Sequence, residues 1–211
     1  MFLEQRGYYI ISVIIILISL IFFFLSFERK KPREREVVIL AVMVSLAVVG
    51  RMIFFMTPQF KPCAAVIIVT GIMLGKEAGF LSGALTAFVS DFFFGQGPWT
   101  PWQMFAFGLI GFVAAIVFSG KRKKVANIRI VLCLFGFIMT FVVYGIIMDT
   151  ATVLMYTDRP TTEAFVSVYL SGIIFNMIHG ISTIVFLWLL AGTLMQKLGR
   201  IKDKFGVYYQ K

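Results

Sequence analysis

Two opposite charges interrupt long apolar runs in this chain: Arg51 within residues 37–56 and Asp91 within residues 78–94. A charge held inside a bilayer is expensive, so an ionisable residue there is a functional candidate by default. Counted at 1.5 Å per residue along a helix, both lie roughly 20 Å from the same end of their segments. Matched depth allows two readings. One is a structural ion pair between neighbouring helices; the other puts one or both groups on the wall of a cavity open to the outside. Asn176 and His179 stand three residues apart inside another apolar run and so share one helical face. An interhelical hydrogen bond would satisfy them, and so would a ligand. Asp149, at the end of residues 130–150, reads as a solvated helix terminus.

A second candidate is the run GQGPWTPWQM, residues 95–104. Pro98 and Pro101 break a helix and the glycines permit tight turns. Trp99 and Trp102 could be simple interfacial anchors. Gln96 and Gln103 beside those rings instead suggest a small binding surface of flat apolar faces with amide donors and acceptors. Phe55, at the end of the second apolar segment, and Lys61, in the polar break after it, join the same outer candidate surface.

Other chemistries are poorly supported. His179 is the single histidine, so a histidine-rich metal site is excluded, and no HExxH, GxSxG or GxxxxGK[ST] motif occurs. No catalytic or metal-ligating set is assigned and no cofactor is implied. Cys63 and Cys133 both lie in apolar segments and read as small buried hydrophobes. A membrane-embedded enzyme acting on a lipid-linked substrate, built from Arg51, Asp91, Asp149 and His179, stays open as an alternative. So does a solitary transporter that couples protons through Asp91.

These residues need an apolar scaffold. Of 211 residues 60% are hydrophobic and 14% charged, with mean hydropathy +0.93. Soluble domains carry about 25% charged residues, so the chain reads as an all-α integral membrane protein. Its net charge of +10 does not indicate nucleic acid, because the basic residues cluster beside apolar runs, where they set orientation and meet lipid headgroups.

Seven apolar segments are expected: 8–27, 37–56, 63–75, 78–94, 102–119, 130–150 and 164–195. Residues 63–94 could form one long span or a hairpin turning at Lys76-Glu77. The hairpin puts all the Lys and Arg residues on one side except Arg6, Arg51, Lys61 and Arg159. Basic short loops stay in the cytoplasm, so the hairpin is preferred, with the N-terminus outside and the C-terminus inside a multi-pass cell-membrane protein. The 95–104 run then lies on the outer face, as does a long outer loop at 151–163. The first segment reads as a retained anchor, because its basic residues follow the apolar run and no A-x-A-like cleavage site is visible. Gly71, Gly75, Gly79, Gly83 and Ala87 recur every four residues, as do Gly111 and Ala115; such faces let helices approach closely in lipid. Pro160-Thr161-Thr162-Glu163 is a helix-start signal. The expected organisation is an anchor with a basic linker (1–34), a six-helix membrane domain (35–197) and a basic tail (198–211).

Residues 35–197 resemble a substrate-binding S component of an energy-coupling factor (ECF) transporter, an ABC-type vitamin importer. The resemblance is carried by REREVVILAVMVSLAVVGR, by QFKP and by DFFFGQGPWTPWQMFAFG; the last is similar to a subgroup in which cobalamin or another corrinoid is the expected substrate. The resemblance implies a vitamin pocket open to the outside and no ATPase activity in this chain. It implies as partners a membrane T component and two cytoplasmic ATPases, with the lipid bilayer around the core. In such proteins a small-xxx-small motif on the first core helix docks on the T component; the matching residues here are Ala41 and Ser45, serine standing where a second alanine is usual. A segment before the six-helix core is a departure from the family pattern.

Overall fold

The computed structural model describes residues 7–118, 129–157 and 160–207. Among these the regular elements are all helical: α1 (Gly7–Arg29), α2 (Glu34–Ile53), α3 (Cys63–Leu74), α4 (Lys76–Phe94), α5 (Thr100–Val117), α6 (Arg129–Ile138), α7 (Gly145–Tyr156) and α8 (Thr162–Phe205). A π-helical turn, Met139–Tyr144, joins α6 to α7, so the two form one 28-residue rod. The seven expected segments therefore appear as seven rods. Five of the described spans are long and apolar enough to cross a membrane. At 12 residues α3 is too short to do so unaided, and every one of its residues is buried. It is the central helix, walled in by α2, α4, α5 and α8.

Glycine explains how tightly the centre packs. Gly75 alone links α3 to α4 with φ +100, a left-handed backbone that a side chain resists. A Cβ on Gly71 would lie 2.1 Å from the Gly111 carbonyl oxygen, and one on Gly83 would lie 2.2 Å from that of Phe107. The four-residue spacing seen in the sequence thus lets α3, α4 and α5 touch backbone to backbone, where dispersion rather than hydrophobicity drives association.

The hairpin at residues 63–94 is present. Lys30 pairs with Glu77 at 2.8 Å, Arg33 donates to the Gly206 carbonyl at 3.1 Å, and Lys202 donates to the Met73 carbonyl at 2.6 Å. The first basic cluster, the α3–α4 turn and the end of α8 therefore share one end of the bundle. Lys121, Arg122, Lys123 and Lys124 of the second cluster, like Arg6, Arg159 and Lys211, lie outside the described residues.

Most boundaries differ by one to three residues from the sequence reading, and the C-terminal ends of α7 and α8 differ more. Helix α8 begins two residues earlier than 164, capped where the Ala164 amide donates to Thr161 Oγ1. It then runs ten residues past 195, to a left-handed Gly206. Its last turns keep Leu198 and Lys202 buried, so the 198–211 stretch is in part a continuation of the helix. The outer loop at 151–163 is shorter than expected, because α7 continues to Tyr156.

Candidate functional site

At the end of the bundle away from the Lys30–Glu77 contact, five elements aim polar side chains at one buried point. Arg51 closes the last turn of α2 and is 8% exposed; Asp91, on α4, is 1% exposed. Arg51 Nη1 donates to Asp91 Oδ1 at 3.1 Å and also to Ser90 Oγ. Its Nη2 donates to Gln103 Oε1 at 3.2 Å, and Gln103 Nε2 donates to the Tyr144 hydroxyl at 3.0 Å. Thr100, in the first turn of α5, donates to Asp91 Oδ2 at 3.1 Å. A buried ion pair holds only when its remaining donors and acceptors are met, and this one is hydrogen-bonded on both partners.

Aromatic rings enclose the network. The Arg51 guanidinium lies 4.7 Å from the centre of the Phe94 ring and 5.9 Å from that of Phe107, a cation–π arrangement strengthened by exclusion of water. Lys61 Nζ lies 5.2 Å from the same Phe94 ring and donates to the Thr57 carbonyl at 3.0 Å. Burial, then the nearby Arg51 charge, hold the Lys61 ammonium below the usual lysine range. His179 meets Tyr144 edge-on at 4.7 Å and Phe107 at 6.0 Å; it is 2% exposed and its Nδ1 has no hydrogen-bond partner. The 54–62 segment is pinned above by Phe54 and Phe60 against Phe186 of α8, and by the Ser182 hydroxyl, which donates to the Lys61 carbonyl at 3.0 Å.

Arg51, Asp91, Gln103 and His179 thus come together, with Lys61 beside them. Phe55 is exposed and reaches the group only through Phe94, 5.0 Å away. Gln96 is exposed and spends its amide on the Phe88 carbonyl at 3.0 Å, closing the end of α4. Trp99 is half-buried at the entry to α5. Trp102 is 7% exposed and packs with Ile16 of α1 and Ala151 of α7, so its ring faces the interior rather than an outer rim. Asn176 turns from His179 toward α7: its Nδ2 donates to Asp149 Oδ2 at 2.9 Å. Asp149 is accordingly no solvated terminus. It is half-buried within a helix that continues past it, and it borders a cavity of about 220 Å³ shared with Tyr169 and Asn176. Ala41 and Ser45 are exposed on one face of α2, and the Ser45 hydroxyl donates to the Ala41 carbonyl at 2.9 Å, leaving that face without an outward-pointing donor.

Sequence reasoning missed Ser90, Thr100, Tyr144 and the two enclosing rings, Phe94 and Phe107. Ser90 directly precedes Asp91 in the chain and Thr100 lies within the 95–104 run, which are the signals that would have found them. Tyr144 has a weaker one: a phenol inside an otherwise apolar run needs a partner when buried.

Apolar rods around a buried, hydrogen-bonded Arg51–Asp91 pair at one end describe a polytopic membrane protein. No metal-ligating group of His, Cys, Asp or Glu occurs among the described residues. The model of a family described as ECF-type riboflavin transporter, S component, matches residues 32–196. The chain belongs to that family. An S component is the substrate-binding part of a transporter, not an enzyme. The family's name carries riboflavin and does not support the corrinoid expectation. Among curated proteins, a UPF0397 protein of Vibrio atlanticus is 31% identical over 87 residues, 39% of this chain and 47% of its own length. One from Aliivibrio fischeri is 29% identical over 116 residues, 48% of this chain and 63% of its own. One from Aliivibrio salmonicida is 29% identical over 98 residues, covering 43% and 53%. The chain thus spans about half to just under two thirds of these relatives. No solved structure matches it.

Proposed function

We propose that this chain is the membrane subunit of an ECF importer that captures a vitamin at the outer end of its bundle, for uptake driven by ATP hydrolysis in partner subunits. The observation that carries the reading is the Arg51–Asp91–Gln103–Tyr144 network with the unpartnered His179 nitrogen beside it. A buried polar group left without a partner is unfavourable, and a ligand acceptor or donor at His179 would satisfy it. The rings of Phe94, Phe107 and Tyr144 supply faces for a conjugated heterocycle. Lys61, Phe55, Gln96 and Trp99 form the rim, and Asn176 a neighbouring contact. Trp102 supports the rim from below. The positive-inside pattern supports the rim facing outward and the C-terminus facing the cytoplasm.

The substrate in this reading is a corrinoid, supported by the resemblance of the 91–108 run. Riboflavin is the second reading, favoured by the name of the matching family. The exposed small-residue face of Ala41 and Ser45 is the docking surface for a T component, since small side chains admit close helix approach. Binding of cyanocobalamin and of riboflavin to the purified chain tests the proposal. Gln103→Leu and Trp99→Ala should each weaken the vitamin that binds by about tenfold, the loss of one hydrogen bond or one ring face. Micromolar or tighter binding untouched by both variants would remove the proposed site.

A further inference from the structure

Helix α1 lies wholly outside residues 32–196, the part of the chain the family model matches. It is nevertheless tied to the bundle at three levels. Near the Lys30–Glu77 end, the Phe23 ring stacks on Phe80 of α4 at 3.8 Å with 15° between planes, and it meets Phe112 of α5 edge-on at 5.1 Å. At mid-height, Ile16 is buried in a cluster with Trp102 of α5 and Ala151 of α7. At the far end, the Tyr9 hydroxyl donates to the Pro98 carbonyl at 2.9 Å. A plain anchor needs only apolar length. This helix instead places a long-range hydrogen bond on the 95–99 loop and its buried isoleucine on the tryptophan that follows that loop.

The loop's other holds are local, among them the Gly97 amide donating to Thr100 Oγ1 at 3.2 Å. Gly95 has φ +103 with open space around it. Within the turn, the Thr100 amide donates to the Gly97 carbonyl at 3.0 Å, and Gln96 reaches back to α4. Yet Thr100 and Gln103, which bind Asp91 and Arg51, sit directly after it. A shift of the loop therefore moves the first turn of α5 and both polar side chains with it.

We propose that Tyr9 and Ile16 are positioning residues for the substrate site: α1 clamps the 95–99 loop so that Thr100 and Gln103 stay in register with Asp91 and Arg51, which slows substrate release. The inference rests on the reading of that loop as the rim of the vitamin site.

The test uses the full chain in lipid nanodiscs. Amide exchange is followed at residues 95–100 and, as an internal reference, in α3. Tyr9→Phe removes the hydrogen bond to the Pro98 carbonyl and should raise loop exchange about five- to tenfold with α3 unchanged. Tyr9→Phe/Ile16→Ala should raise it further, while Ile15→Ala, on the exposed side of α1, should change nothing. Loop exchange unchanged in the double variant, or rising equally in α3, would overturn the clamp. A second arm measures release of cyanocobalamin or riboflavin, whichever the chain binds. Release two- to tenfold faster in Tyr9→Phe supports the proposal, and release unchanged from a loosened loop refutes it. If neither vitamin binds the parent chain, the vitamin reading fails while the exchange arm still decides whether α1 holds the loop.

Discussion

Asp91→Asn removes the charge that compensates Arg51 while keeping the shape of the side chain. In the parent protein the guanidinium sits 8% exposed between the Phe94 and Phe107 rings, with Asp91 Oδ1 at 3.1 Å as its one anionic partner. After the substitution Ser90 and Gln103 still accept from Arg51, but a net positive charge stays in an apolar enclosure. Removing one partner of a buried pair costs about 3–5 kcal/mol; the surviving hydrogen bonds put this case near the lower figure, about 3 kcal/mol. Replacing both partners, as Arg51→Met/Asp91→Leu, leaves no isolated charge and should cost less than Asp91→Asn alone. The assay is equilibrium unfolding in mixed micelles, followed by the loss of helical signal as denaturing detergent rises. A cost below about 1 kcal/mol for Asp91→Asn, the figure for an exposed pair, would mean that the pair is solvated and that the network is not a buried site. A double variant less stable than the single one would refute the charge argument even if the site itself survived.

Gly111→Ala sets a Cβ 2.1 Å from the Gly79 carbonyl oxygen; since both atoms belong to packed backbone, the α4–α5 contact must open, at a cost of about 3 kcal/mol or more, visible in the same unfolding assay. Ala41→Leu/Ser45→Leu adds bulk to a lipid-exposed face and should leave stability and vitamin binding within twofold of the parent while abolishing co-purification with a T component; loss of binding too would make that face structural.

Some of this site is written plainly in the chain because membranes penalise charge. Arg51 and Asp91 could be matched in depth from the sequence, which left an ion pair and a cavity wall both open. Backbone contacts were equally readable: glycines four residues apart have one common use in lipid, and Gly71, Gly79 and Gly111 meet carbonyl to Cα. What stayed hidden depended on side-chain direction. Trp99 and Trp102 are three residues apart in a proline-rich run, and nothing in that spacing tells that α5 has already begun at Thr100, turning Trp102 inward onto α1. Asn176 and His179 share a face of α8, yet one meets Asp149 and the other Tyr144, on a rod whose two α-helical parts are joined by the π-helical turn at Met139–Tyr144. Such a turn has no simple residue signature. Asp149 was misjudged for the related reason that the helix end was set too early, by an apolar run ending where the helix did not.

Purification of the full chain from its native membrane, followed by mass spectrometry of whatever small molecule it retains, tests the central claim most directly. A vitamin released in stoichiometric amount from the parent protein, and depleted about tenfold in Gln103→Leu, is the outcome this account requires. Retention of lipid alone, or of a vitamin held equally by parent and Gln103→Leu, would contradict it.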